Sequence, residues 1–61
     1  MSTAILKALE RSCDKATARY IQIAERKLAA NQDAGIDIGQ AKAYQEMANR
    51  IADILKDLQT D

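Results

Sequence analysis

Apolar residues recur along the first half of the chain in alternating steps of three and four. Leu6, Leu9, Cys13, Ala16, Tyr20, Ile23, Lys27 and Ala30 fall on one line, broken by Lys27 alone. This is the spacing of a helix packed along one side, because residues three and four apart share a helical face. Ile5, Ile21, Ala24 and Leu28 widen the line into the broader stripe that a bundle helix buries. The long stem of Lys27 lets its charge reach solvent from near a helix end. Ser2 or Thr3 suits the N-cap. The stretch Asn31-Gln32-Asp33-Ala34-Gly35 reads as the end. Gly35 fits the left-handed residue beyond the last turn, and Ile36 the apolar contact of a Schellman ending. The first helix is expected over about 3–34 and a turn over about 35–37.

A second helix is expected over about 38–59. Asp37 and Gln40 have the spacing of a capping box, and Ile36 and Ala41 that of a hydrophobic staple. Gly39 in the first turn weakens this start. Ala41, Tyr44, Ala48, Ile51, Leu55 and Leu58 repeat the three-four pattern, with Met47, Ala52 and Ile54 on its flanks. At 1.5 Å per residue the helices would be about 45 and 33 Å long. So short a connection makes them antiparallel neighbours. The fold class is therefore all-α: an antiparallel two-helix hairpin in a single domain spanning 1–61.

Size then demands a partner. A chain of 61 residues hides only about 60% of the surface its unfolded form exposes. Cys13 is the sole cysteine, so no disulfide forms within the chain, and with no histidine a structural zinc site lacks ligands. Association remains. Along both lines small residues (Cys13, Ala16, Ala24, Ala41, Ala48, Ala52) alternate with large ones (Leu9, Tyr20, Ile23, Tyr44, Ile51, Leu55), the pattern by which packed layers interdigitate. A two-fold dimer forming a four-helix bundle is the expected assembly, with Leu6, Leu9, Cys13, Ala16, Tyr20, Ile21, Ile23, Leu28, Tyr44, Met47, Ile51, Ile54, Leu55 and Leu58 as interface residues. Completion of the hairpin by a different protein is the other route. Parallel and antiparallel pairing of two hairpins bury the same residues, so periodicity leaves that choice open.

Composition adds little beyond this. There is no proline, tryptophan or phenylalanine, and 48% of residues are hydrophobic against 30% charged, a helical and ordered balance. The N-terminus lacks a basic start and a long apolar run, and no apolar stretch nears the roughly 18 residues a membrane span needs. The lone thiol and absent export signal point to a reducing cytoplasm.

Nine basic residues balance nine acidic ones. Up to residue 31 the count is six basic to three acidic, and from 32 onward three to six. Lys7, Arg11, Lys15 and Arg19 are four apart, and Arg26 continues the same side. Such a row could follow a phosphate backbone, where cations supply affinity without reading sequence. An even net charge and a row without interleaved aromatics favour a plain solvated face, or one drawn to an acidic partner. Lys42, Glu46 and Arg50, with Asp53, Asp57 and Lys56, read as surface pairing within the second helix.

Tyr20 and Tyr44 read first as core rings with hydroxyls at the rim, and otherwise as anchors for a partner peptide or a small-molecule pocket. Cys13 reads as a small apolar filler. No histidine, glycine-rich phosphate loop or nucleophile–base pairing is visible, and the acid pairs Glu10/Asp14 and Asp53/Asp57 fall on polar faces with no acid in either seam. No catalytic, metal or cofactor residue is therefore expected, and the chain is not read as an enzyme. In size and patterning the plan resembles that of the RNA-one modulator family of plasmid copy-number regulators, dimers of short helical hairpins that bind paired RNA loops. The resemblance extends to no sequence motif, and no residue role follows from it. Two functions are expected from the residues: a small protein-interaction module (adaptor, regulator or inhibitor) or, alternatively, an RNA-backbone binder using the basic row.

Overall fold

In the computed structural model, which describes residues 3–59, α1 spans Thr3–Ala29 and α2 spans Gly35–Gln59. They pack side by side in opposite directions, with a longest dimension of 50 Å. The expected hairpin is present; its turn lies elsewhere. Thr3 opens α1, and Ser2, the other candidate cap, lies outside the described residues.

The first helix stops at Ala29, not at 34, because Asn31 takes the left-handed conformation (φ 58°) assigned above to Gly35. The amide of Gln32 donates to the Lys27 carbonyl at 2.7 Å and that of Asn31 to the Leu28 carbonyl at 3.1 Å. These two bonds are the Schellman pattern, built on the residue type that best tolerates left-handed backbone after glycine.

The second helix starts at Gly35, not at 38. The Ala34 carbonyl accepts the first helical bond from Ile38 at 2.9 Å, and the Asp33 carboxylate accepts the Gly35 amide at 2.9 Å. A Cβ at Gly35 would lie 3.2 Å from that carboxylate oxygen, so glycine serves close approach rather than a positive φ. The expected capping box therefore does not form: Asp37 lies inside the first turn. Nor does Ile36 make a staple or a Schellman contact, since it is 81% exposed; Ala34, at 2%, is the apolar residue the turn buries.

Between the helices lie Leu6, Cys13, Thr17 and Ala24 from α1, against Ala41, Ala48, Ile51 and Leu55 from α2. Small side chains dominate this seam, which lets the two backbones approach closely. The Thr17 hydroxyl donates to the Cys13 carbonyl at 2.9 Å, so its burial leaves no polar atom unmet. No helix of the described residues is long and apolar enough to cross a membrane.

Candidate interaction surface

The seam of α1 runs through Leu6, Glu10, Cys13, Thr17, Tyr20, Ala24 and Lys27, all buried or half-buried. It shares Leu6, Cys13, Tyr20 and Lys27 with the expected line, but Glu10, Thr17 and Ala24 replace Leu9, Ala16 and Ile23. The lone neighbour α2 therefore covers one edge of a stripe broader than itself. Ala16 and Ile23 stay half-buried at the margin and Leu9 is exposed. The expectation that no acid enters a seam fails twice, at half-buried Glu10 and at buried Asp37.

Two contacts fix the register. Tyr20 and Tyr44 stack with ring centroids 5.8 Å apart and planes 11° from parallel. Each ring thus covers one face of the other, and both side chains stay half-buried. Nearer the turn, Lys27 donates to the Asp37 carboxylate at 2.7 Å. The Lys27 side chain is 39% exposed and that of Asp37 11%, so a largely buried acid meets the cation of a partly exposed side chain. Asp37 also lies in the first turn of α2, where the helix dipole favours a negative charge.

Given this register, the side chains beside the seam divide into two flanks. One carries Leu9, Ala16 and Ile23 of α1 with Met47 and Ile54 of α2, extended at the rim by Ile5 and Ile36. The other carries Lys7, Asp14, Ile21 and Leu28 with Ile38, Gln45, Ala52 and Gln59. An open groove on this second flank, lined by Lys7, Glu10, Arg11, Ala52, Leu55, Lys56 and Gln59, joins the two helices at the end away from the turn. The first flank is apolar except at Gln40, which shares the heptad position of Met47 and Ile54; the second is apolar only near the turn.

Among the described residues, nine large apolar side chains are exposed by between 45% (Ile21) and 81% (Ile36). They include Leu9, Ile21, Leu28, Met47, Ile54 and Leu58 of the expected interface, while Leu6, Cys13, Ile51 and Leu55 are consumed within the hairpin and Tyr20 and Tyr44 half-consumed. Cys13, 3% exposed, packs with Leu6, Ala48, Ile51 and Leu55.

Lys7, Arg11, Lys15, Arg19 and Arg26 are all exposed, but they do not form a straight strip. Each four-residue step advances about 40° around a helix of 3.6 residues per turn. Lys7 and Arg11 consequently meet Lys56 in the groove of the second flank, whereas Lys15 and Arg19 meet Ser12 and Ala16 beside the first. Among the described residues, no group of three or more metal-ligating side chains comes together. Comparison with protein-family models, curated proteins and solved structures gave no match to this chain.

Proposed function

We propose that this protein is a small, non-enzymatic protein-interaction module that works as a homodimer of hairpins, an adaptor, regulator or inhibitor. The observation that carries the reading is the first flank, where Ile5, Leu9, Met47 and Ile54 are all roughly half or more exposed along one continuous side of a hairpin. Contiguous apolar surface of this kind marks an association site on a soluble protein. The seam beneath it supports the reading, because small residues between the helices leave the large ones facing outward.

Light scattering across a wide concentration range tests it. The natural chain is expected at twice the mass of one chain. Met47→Glu with Ile54→Glu is expected to run as a monomer that keeps measurable helicity, since neither side chain is needed inside the hairpin. A natural chain that stays monomeric at every concentration would exclude self-association.

A second reading, attachment to an RNA backbone, is favoured by one observation: Lys7, Arg11 and Lys56 converge on a single groove. It predicts binding to a structured RNA that weakens steeply with salt, with a log–log slope of roughly −0.7 to −0.9 per phosphate neutralised. Arg11→Glu with Lys56→Glu should abolish it. Binding that ignores salt or survives the double reversal contradicts this reading.

A further inference from the structure

The charges bordering the apolar flank are segregated by helix. On α1 that border carries Lys15, Arg19 and Arg26 and no acid; Glu10, Asp14 and Glu25 all lie toward the opposite side. On α2 the same border carries Glu46 and Asp57 against Arg50 alone, while Lys42, Asp53 and Lys56 lie toward the opposite side. Hollows beside the flank hold four of these charges: one is lined by Ser12, Lys15, Ala16 and Arg19, another by Ala43, Glu46, Met47 and Arg50. Three cations therefore edge one side of the apolar surface. Two acids and one cation edge the other.

A second copy can cover this flank about either of two symmetry axes. An axis along the hairpin sets α1 against α2 of the second copy and brings both turns to the same end. An axis across it sets α1 against α1 and α2 against α2, with turns at opposite ends. Burial does not distinguish them, because the same apolar side chains are covered. Charge does. The first arrangement faces a +3 edge with a −1 edge, twice over. The second faces +3 with +3 and −1 with −1, and like charges brought together across an interface oppose association.

We propose that two copies dock through the Leu9–Met47 flank with their turns at the same end, α1 of each lying along α2 of the other. The proposal rests on the self-association reading above and commits to its geometry. An axis along the hairpin preserves level, so the stacked Tyr20 and Tyr44 supply the ruler. Arg19 then stands level with Glu46 of the second copy. In the crossed arrangement Arg19 instead comes near Lys15 of the second copy.

The charge test uses the otherwise natural chain, with dissociation constants measured by sedimentation at low salt. Arg19→Glu is expected to weaken the dimer roughly three- to tenfold, as two lost exposed pairs and two new repulsions would, and adding Glu46→Arg is expected to restore it. In the crossed arrangement Arg19→Glu relieves repulsion, so a tightened dimer, or no rescue by Glu46→Arg, overturns the proposal. A distance test stands beside it: spin labels on Gln32→Cys in a Cys13→Ala background. With helices packed 8–10 Å apart, same-end turns place the labels within about 25 Å; opposite ends place them near the 50 Å length of the hairpin. A dimer with the long distance refutes the orientation alone. A monomer in the same light-scattering cell refutes the self-association reading on which it stands.

Discussion

At the scale of single residues, the turn offers the sharpest energetics. Asn31 holds φ at 58°, where a Cβ meets the following carbonyl and most residues lose roughly 1–2 kcal/mol. Asparagine bears that cost better than others, and glycine avoids it. Gly39 presents the reverse case: it lies just past the first turn of α2 without a positive φ, and a Cβ there would meet nothing within 4 Å. Alanine should therefore have opposite effects at the two sites. Asn31→Ala is expected to lower stability by about 1 kcal/mol and Asn31→Gly to match or exceed the natural chain. Gly39→Ala is expected to raise it by about 0.5–1 kcal/mol, by narrowing the unfolded ensemble and favouring helix. Urea unfolding followed by circular dichroism measures all three, and equal stability of alanine and glycine at 31 would refute the Schellman ending.

At the scale of the elements, periodicity was a good guide to helices and a poorer one to their edges. Leu6, Cys13 and Tyr20, with Ala41, Tyr44, Ala48, Ile51 and Leu55, lie where the three-four spacing puts them, because any neighbour of these helices must use the middle of the stripe. Leu9, Ile21 and Leu28 do not, because apolar spacing defines a stripe and not which part a single neighbour covers. That choice fell to the small side chains: Thr17 and Ala24 opposite Ala48 and Ala41 permit a closer approach than Leu9 and Ile23 would. The turn misled for a related reason. Two residues competed for the left-handed position, and Asn31 closed α1 before Gly35 was reached, after which Asp33 supplied the acceptor that starts α2. Asp37 reads locally as a cap and Lys27 as a snorkelling stem; each is the other's partner, a pairing ten residues apart that no local motif encodes. Of the candidate anchors, Leu9, Met47 and Ile54 share one flank and Ile21 and Leu28 fall on the other, a division that needs the register between helices. The basic row was legible as spacing, but its winding across both flanks follows from the 40° drift per step.

At the scale of the whole molecule, the question is whether folding and association are separate events. A hairpin with a cross-section of about 14 by 13 Å between its Cα extremes has almost no interior beyond one seam, and the buried apolar residues in that seam are mostly small. If the apolar flank is covered only when two chains meet, the hairpin gains most of its stability in the act of pairing, and its melting temperature becomes a function of concentration. The size of the effect can be estimated. Two chains of 61 residues, unfolding with about 0.7 kcal/mol of enthalpy per residue, absorb about 85 kcal/mol near 60 °C. Mass action then shifts the midpoint by about 6 °C for each tenfold change in concentration. Differential scanning calorimetry over two decades of concentration should show about 12 °C of displacement by that same scaling. Met47→Glu with Ile54→Glu should melt earlier, over a broader range and at one temperature throughout. A natural chain whose midpoint holds still would mean that the single seam suffices for folding. The exposed flank would then be free surface in the isolated protein, and its occupant would have to be a different molecule.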